Sequence, residues 1–104
     1  MSGLLPVRIV GSAGRAIVEA AEWWAANRPK APDAFAVELE RAFQLLSSQP
    51  LIGSRARNVK LSGVRRLHLP RVHYHLYYRV TSNPDAVKVL ALWHTSRGTS
   101  PDLP

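Results

Sequence analysis

The hydrophobic period of this chain changes once, at Pro50, and that change sets its architecture. Ahead of it, Ile17, Ala20, Ala21 and Trp24 recur at i, i+3, i+4 and i+7, one stripe of a helix running from Ala13 to Asn27. Ser12 is the predicted N-cap, and Pro29 ends the helix, because a residue before proline avoids the α region. Pro32 and Asp33 open a second helix with its own stripe of Phe35, Leu39, Ala42, Phe43 and Leu46, stopped by Ser47-Ser48-Gln49-Pro50. The short link between them predicts an antiparallel hairpin of helices, each about 20–25 Å long.

Beyond Pro50 the spacing is that of strands. Leu51 to Asn58 is irregular, and three strand-like runs follow, Val59–Leu69, Val72–Val80 and Ala86–His94. Pro70-Arg71 and Ser82-Asn83-Pro84-Asp85 supply the turns. A further short strand precedes the helices, where Val7 and Ile9 point one way and Arg8 and Val10 the other, with Pro6 tolerable near its start. Strand, two helices, then three strands joined by short links predict an α+β domain. The helical hairpin covers one face of a sheet completed by a three-stranded antiparallel meander. With 104 residues, one domain is expected over residues 1–98, with a flexible tail at 99–104.

Composition then removes function classes. No cysteine is present, which excludes disulfide scaffolds, thiolate metal sites and cysteine nucleophiles. A chain this short has no room for a complete dinucleotide-binding domain, and no cofactor is expected. No apolar run is long enough to span a bilayer and no export signal is evident, so the cytoplasm is the expected location, with no membrane partner. The net charge is +7, and all of it lies in residues 51–104, where nine Lys and Arg face only Asp85 and Asp102. Such segregation points to an anionic partner.

Arg71 to Val80 shows where that partner would bind. As a strand it splits into Val72, Tyr74, Leu76, Tyr78 and Val80 on the side suited to the helices, and Arg71, His73, His75, Tyr77 and Arg79 on the other. Arg66 and His68 extend this polar ladder from the preceding strand, Arg65 stands beside them, and His94 and Arg97 end the last strand nearby. Arginine supplies bidentate donors to phosphate or carboxylate, and the rings can stack on bases. The opposing reading for Arg79 is a structural pair with a helix carboxylate such as Glu22.

His68, His73, His75 and His94 invite a metal reading, but arginines surround them and no carboxylate is close in sequence, so no metal is expected. Acid–base chemistry suits them better. RNA cleavage needs a base for the 2′-hydroxyl, cations for the developing phosphorane and an acid for the leaving oxygen. His68, His75, Arg66, Arg79 and Arg97 are the right types. Of the adjacent Trp23 and Trp24, about 100° apart on a helix, Trp24 fits the core stripe and Trp23 is also expected to pack on the core.

These segments resemble the RelE/ParE superfamily of type II toxins. The helical A-F-x-x-x-L-x-x-A-F, then Gln49-Pro50-Leu51-Ile52-Gly53, then Ser62-Gly63-Val64-Arg65-Arg66-Leu67, then Tyr74-His75-Leu76-Tyr77-Tyr78-Arg79-Val80, and finally Val89-Leu90-Ala91-Leu92-Trp93-His94 before Arg97 follow the family's motifs in order. The resemblance covers about residues 7–98 and implies the fold just read from periodicity. It implies a cognate antitoxin whose acidic C-terminal segment binds the basic half, and one of two targets. ParE-like members inhibit DNA gyrase by binding. RelE-like members cut messenger RNA in the ribosome. Matched to the nuclease pattern, Arg66 and His68 fall where that branch carries lysines, His75 at its central arginine and Arg97 near its C-terminal arginine. Neither lysine is present, and no tyrosine follows Tyr78. The Y-R-V and W-H-x-x-R segments are closer to the ParE branch, so gyrase is the expected target and the ribosome with mRNA the alternative. A third possibility is a degenerate member that binds only its antitoxin.

Overall fold

The structure, a computed structural model, describes residues 4–57, 59–97, 101 and 103. Its elements are β1 (Val7–Ile9), α1 (Gly11–Asn27), α2 (Ala34–Ser48), β2 (Ser54–Arg55), β3 (Val64–Leu69), β4 (Tyr74–Thr81) and β5 (Ala86–His94). The two helices pack on one face of a five-stranded sheet of order β1-β5-β4-β3-β2. The meander β3-β4-β5 is antiparallel, as its short turns require, while β1 lies parallel to β5, with Val7 beside Val87 and Ile9 beside Val89. Pro6 sits just before this edge strand, where its missing N–H costs no ladder bond.

The helices differ in how they bury their stripes. On α2, Phe35, Leu39, Ala42 and Leu46 all enter the core, with Phe43 half-buried beside them. On α1 only the small Ala13 and Ala20 are fully buried, and Ile17, Ala21 and Trp24 pack partly. Under them lie Leu69, Val72, Leu76, Tyr78, Val87, Val89 and Leu92. The face assignment of β4 therefore holds: Leu76 and Tyr78 are buried against the helices and Tyr74 lies half-buried on the same side.

Several expectations need correction. Ser12 is inside α1 rather than capping it; Val10 occupies the N-cap position and no side chain caps the helix. Val72 and His73 belong to the turn joining β3 to β4, and His73 adopts a left-handed φ of 63°. Val59 to Ser62 is loop, and Gly63, at φ 76°, makes the left-handed step into β3 that a side chain would disfavour. The segment read as irregular contains the two-residue β2. Trp23 is 49% exposed instead of packing on the core.

The largest difference concerns the sheet face away from the helices. It was expected to be left for water or a partner, yet half of it carries a second small core of Val64, Tyr77, Leu90 and Leu103, flanked by Val59, Leu61, Ala91 and Trp93. A bulge makes this possible. Tyr77 pairs with Ala91 and Tyr78 with Val89, leaving Leu90 as the extra residue of β5. Leu90 and Ala91 both join the outer cluster, while Val89 and Leu92 keep to the helix side. Of the tail expected to be flexible at 99–104, Pro101 and Leu103 are described and both are buried; the rest of it lies outside the described residues.

Candidate functional site

Gly53 and Tyr78 tie the loop after α2 to β4. The Tyr78 hydroxyl, on a fully buried ring, accepts the Gly53 N–H at 2.9 Å. Burial raises the Tyr78 pKa above its ordinary value, the Gly53 N–H and the nearby Arg65 opposing the shift, so the phenol stays protonated. Arg65 lies on the same side and donates from Nη1 to the carbonyls of Gly53, at 2.7 Å, and Leu51, at 3.2 Å. Arg65 is thus a strut between β3 and the loop after α2, not a rung of the polar ladder. The P-L-I-G segment, the R-R segment and the Y-R-V strand are thus linked by hydrogen bonds.

Across the outer face the register builds one row, His68 beside His75 beside Trp93. The two imidazole centroids are 5.0 Å apart. Arg66 lies one rung along, opposite Tyr77. The His75 pKa is lowered, first by burial, then by the charges of Arg66 and His68, so its ring is predominantly neutral at pH 7. Arg97 reaches this row by laying its guanidinium 4.1 Å from the centroid of Trp93. Arg66, His68, His75 and Arg97 are therefore gathered at one end of the face.

The remaining sequence candidates are elsewhere. Tyr77, at 2% exposure, is a core residue and does not present its ring to a partner. Arg79, in the next row beside Val64 and Lys88, stands four residues from His75, about 13 Å along the strand. It is on the face opposite the helices, so no pair with Glu22 forms, and its buried Nε has no hydrogen-bond partner among the described residues. His94 is on the helix side, its ring edge-on to Tyr74 with centroids 5.0 Å apart. Its Nδ1 accepts the Ser96 N–H at 3.1 Å and lies 2.7 Å from the Ser96 hydroxyl, which leaves the ring proton on Nε2. His73 and Arg71, in the β3–β4 turn, line a cleft with His94, Tyr74, Trp23 and Arg28 rather than joining His75. The split of His73 and His94 from His68 and His75 follows from two backbone features that alternation does not encode: the left-handed turn at His73 and the bulge in β5.

Among the described residues no group of three metal-ligating side chains converges, and no helix is long and apolar enough to cross a membrane. The outer face instead combines an apolar patch centred on Leu90 and Leu103 with cations at both ends, Arg79 and Lys88 at one and Arg66 and Arg97 at the other. Such a surface suits a partner with both aliphatic and acidic side chains.

The solved structures similar to this chain include two from toxin–antitoxin systems. One is the chromosomal ParDE system from P. aeruginosa, with a TM-score of 0.70 at 16% identity, covering 91% of this chain and 100% of that one. Another is the RelBE2 complex from Mycobacterium tuberculosis, with a TM-score of 0.62 at 27% identity, covering 88% of this chain and 98% of that one. No curated protein sequence matches the chain. The family model described as the ParE toxin of the type II toxin–antitoxin system parDE matches residues 7–98. With nearly the whole described fold inside that match, the chain belongs to the ParE toxin family of type II toxin–antitoxin systems.

Proposed function

We propose that this toxin arrests growth in the cytoplasm by binding DNA gyrase, and that a cognate antitoxin with an acidic C-terminal segment neutralises it by occupying the basic outer face. The observation that carries the reading is the burial of Tyr77 under Leu90 and Leu103. It turns half of the outer face into a packed apolar surface, and it separates Arg79 from the histidine row. A nuclease needs its acid, base and phosphate-binding cations around one scissile bond. A binding inhibitor needs only a shaped surface with charge. The match to the ParE toxin family and the similarity to the RelBE2 toxin–antitoxin complex support the antitoxin partner.

The second reading, a ribosome-dependent endoribonuclease, is favoured by one observation. His75 is held neutral beside His68, Arg66 and Arg97, which is the condition for a general base at neutral pH. One pair of assays separates the two. The purified chain is tested for gyrase-dependent DNA cleavage and for cleavage of translated messenger, alongside His75→Ala and Arg97→Ala. The gyrase reading expects DNA cleavage only with gyrase, little affected by His75→Ala and weakened by Arg97→Ala. Ribosome-dependent messenger cleavage that His75→Ala reduces about a hundredfold, the usual scale for a lost general base, would replace it.

A further inference from the structure

The Trp23-Trp24 pair has no role in the outer face, and the structure gives it another setting. At the C-terminal end of α1, a half-open cleft of about 480 Å³ is walled by Trp23 and Arg28 on the helix side and by Arg71, His73, Tyr74 and His94 on the sheet side. We propose that this cleft binds a nucleotide: a phosphate held by Arg71 and the histidines, with a planar base against Trp23 and Arg28.

Four features carry the proposal together. The first is the charge of the walls, since Arg28, Arg71, His73 and His94 contribute donors and no carboxylate lines the cleft. The second is the flat, partly exposed surface. Trp23 is half-exposed, and the Arg28 guanidinium lies 5.0 Å from its ring centroid and 5.5 Å from that of Trp24, so an indole and a guanidinium plane are both offered for stacking. The third is preorganisation. Trp24 is anchored by its Nε1–H to the Ala31 carbonyl at 3.0 Å. His73 is held at a φ of 63° by its N–H on the Leu69 carbonyl and its own carbonyl accepting the Thr95 N–H, both at 2.9 Å. A non-glycine residue kept in that region marks strain that the surroundings sustain, which is common where side chains are aimed at a ligand. The fourth is size, because the volume falls within the ordinary range of small-molecule sites.

One feature opposes an anion here: the C-terminal end of a helix carries partial negative charge. Arg28 answers it in place, donating from Nη1 to the Asn27 carbonyl at 3.1 Å, while its N–H takes the Trp24 carbonyl at 2.9 Å and Asn27 Nδ2 takes that of Trp23 at 2.8 Å. The same chemistry fits a free nucleotide or the terminal nucleotide of a strand. It does not depend on which target the toxin has, since none of the cleft residues belongs to the His68–His75 row.

The test is calorimetric titration of the full chain with AMP, adenosine, inorganic phosphate, and a short oligonucleotide with either a 5′-phosphate or a 5′-hydroxyl. AMP is expected to bind about tenfold or more tightly than adenosine or phosphate, because base and phosphate are held together. Arg71→Ser and Trp23→Leu, both at exposed positions, should each weaken AMP about fivefold or more with unchanged unfolding midpoints, while Lys60→Ser, elsewhere on the surface, leaves it alone. Tighter binding of the 5′-phosphorylated strand than of both AMP and the 5′-hydroxyl strand assigns the site to strand ends; otherwise AMP binding assigns it to free nucleotide. No saturable AMP binding, equal binding of phosphate and AMP, or the same loss in Lys60→Ser overturns the proposal.

Discussion

Gly53→Ala is expected to be among the most damaging single-methyl additions in this protein. A Cβ at Gly53 would lie 2.6 Å from the Tyr78 hydroxyl oxygen, 2.8 Å from its Cε1 and 2.9 Å from the Arg66 carbonyl oxygen. Two of these atoms belong to a fully buried ring and the third to the backbone of β3, so none of them yields easily. Gly53 is not in the left-handed region, so the cost is steric rather than conformational. Overpacking of this kind costs about 1–3 kcal/mol. Pushing the chain away also breaks the Gly53 N–H bond to Tyr78, and a buried donor left unpaired costs about 1–3 kcal/mol more. Against this, alanine lowers the entropy of the unfolded chain, a gain of about 0.4–1 kcal/mol. The net expectation is a loss of about 1–5 kcal/mol, or a midpoint lowered by about 5–30 °C for a domain of this size. Urea unfolding followed by circular dichroism measures it. The companion Tyr78→Phe leaves the Gly53 N–H unpaired and should cost about 1–3 kcal/mol alone. In the double variant the closest contact is gone but those to Cε1 and the Arg66 carbonyl remain, so the losses should fall short of their sum by about 1 kcal/mol. A Gly53→Ala variant within about 0.5 kcal/mol of wild type, or strict additivity, would refute the reasoning.

His75 should titrate below the ordinary imidazole range by NMR, with His68→Ala raising its midpoint by removing a neighbouring charge. Because its folded pKa is below the unfolded value, the folded state gains no proton where the unfolded chain does; stability should fall as pH drops through the unfolded pKa of about 6.5, and His75→Gln should flatten that slope. Leu103→Ala should destabilise by about 2–4 kcal/mol if the tail packs on Tyr77 as described, whereas a loss under about 0.5 kcal/mol would show that the tail frays. Antitoxin affinity should weaken between low and high salt and on Arg66→Glu; affinity indifferent to both would reject an electrostatic interface.

Local periodicity carried much of this fold because burial is a local property of a helix stripe or a strand face. Phe35, Leu39, Ala42 and Leu46 sit in the core where their spacing put them, and Leu76 and Tyr78 lie under the helices as alternation required. What escaped depends on contacts between distant segments. Val7 pairs with Val87 for reasons no window around either residue contains. Tyr77 reads as an outward ring until Leu103, 26 residues further on, covers it. The candidate site was legible as a set of residue types but not as a constellation. His73 and His94 look like members of one ladder with His75, and a positive φ at His73 and an extra residue in β5 send them to another place. Arg65 looks like a surface cation, and the approach of the Leu51 and Gly53 carbonyls from the loop after α2 gives it structural partners.

The position of β5 also bears on how the toxin comes into being. β5 is the last of the described strands in chain order, yet it lies inside the sheet, between β1 and β4. Synthesis proceeds from the N-terminus at about 5–20 residues per second, and long-range strand pairing waits for both partners. Until Ala86–His94 has left the ribosome, β1 has no ladder partner, α1 lacks the strand it covers most, and Trp93 is missing from the row with His68 and His75. A nascent chain therefore lacks the middle of its sheet rather than an edge. No intermediate lacking Ala86–His94 carries the finished outer surface, and an antitoxin made beforehand meets that surface only once β5 has emerged and paired.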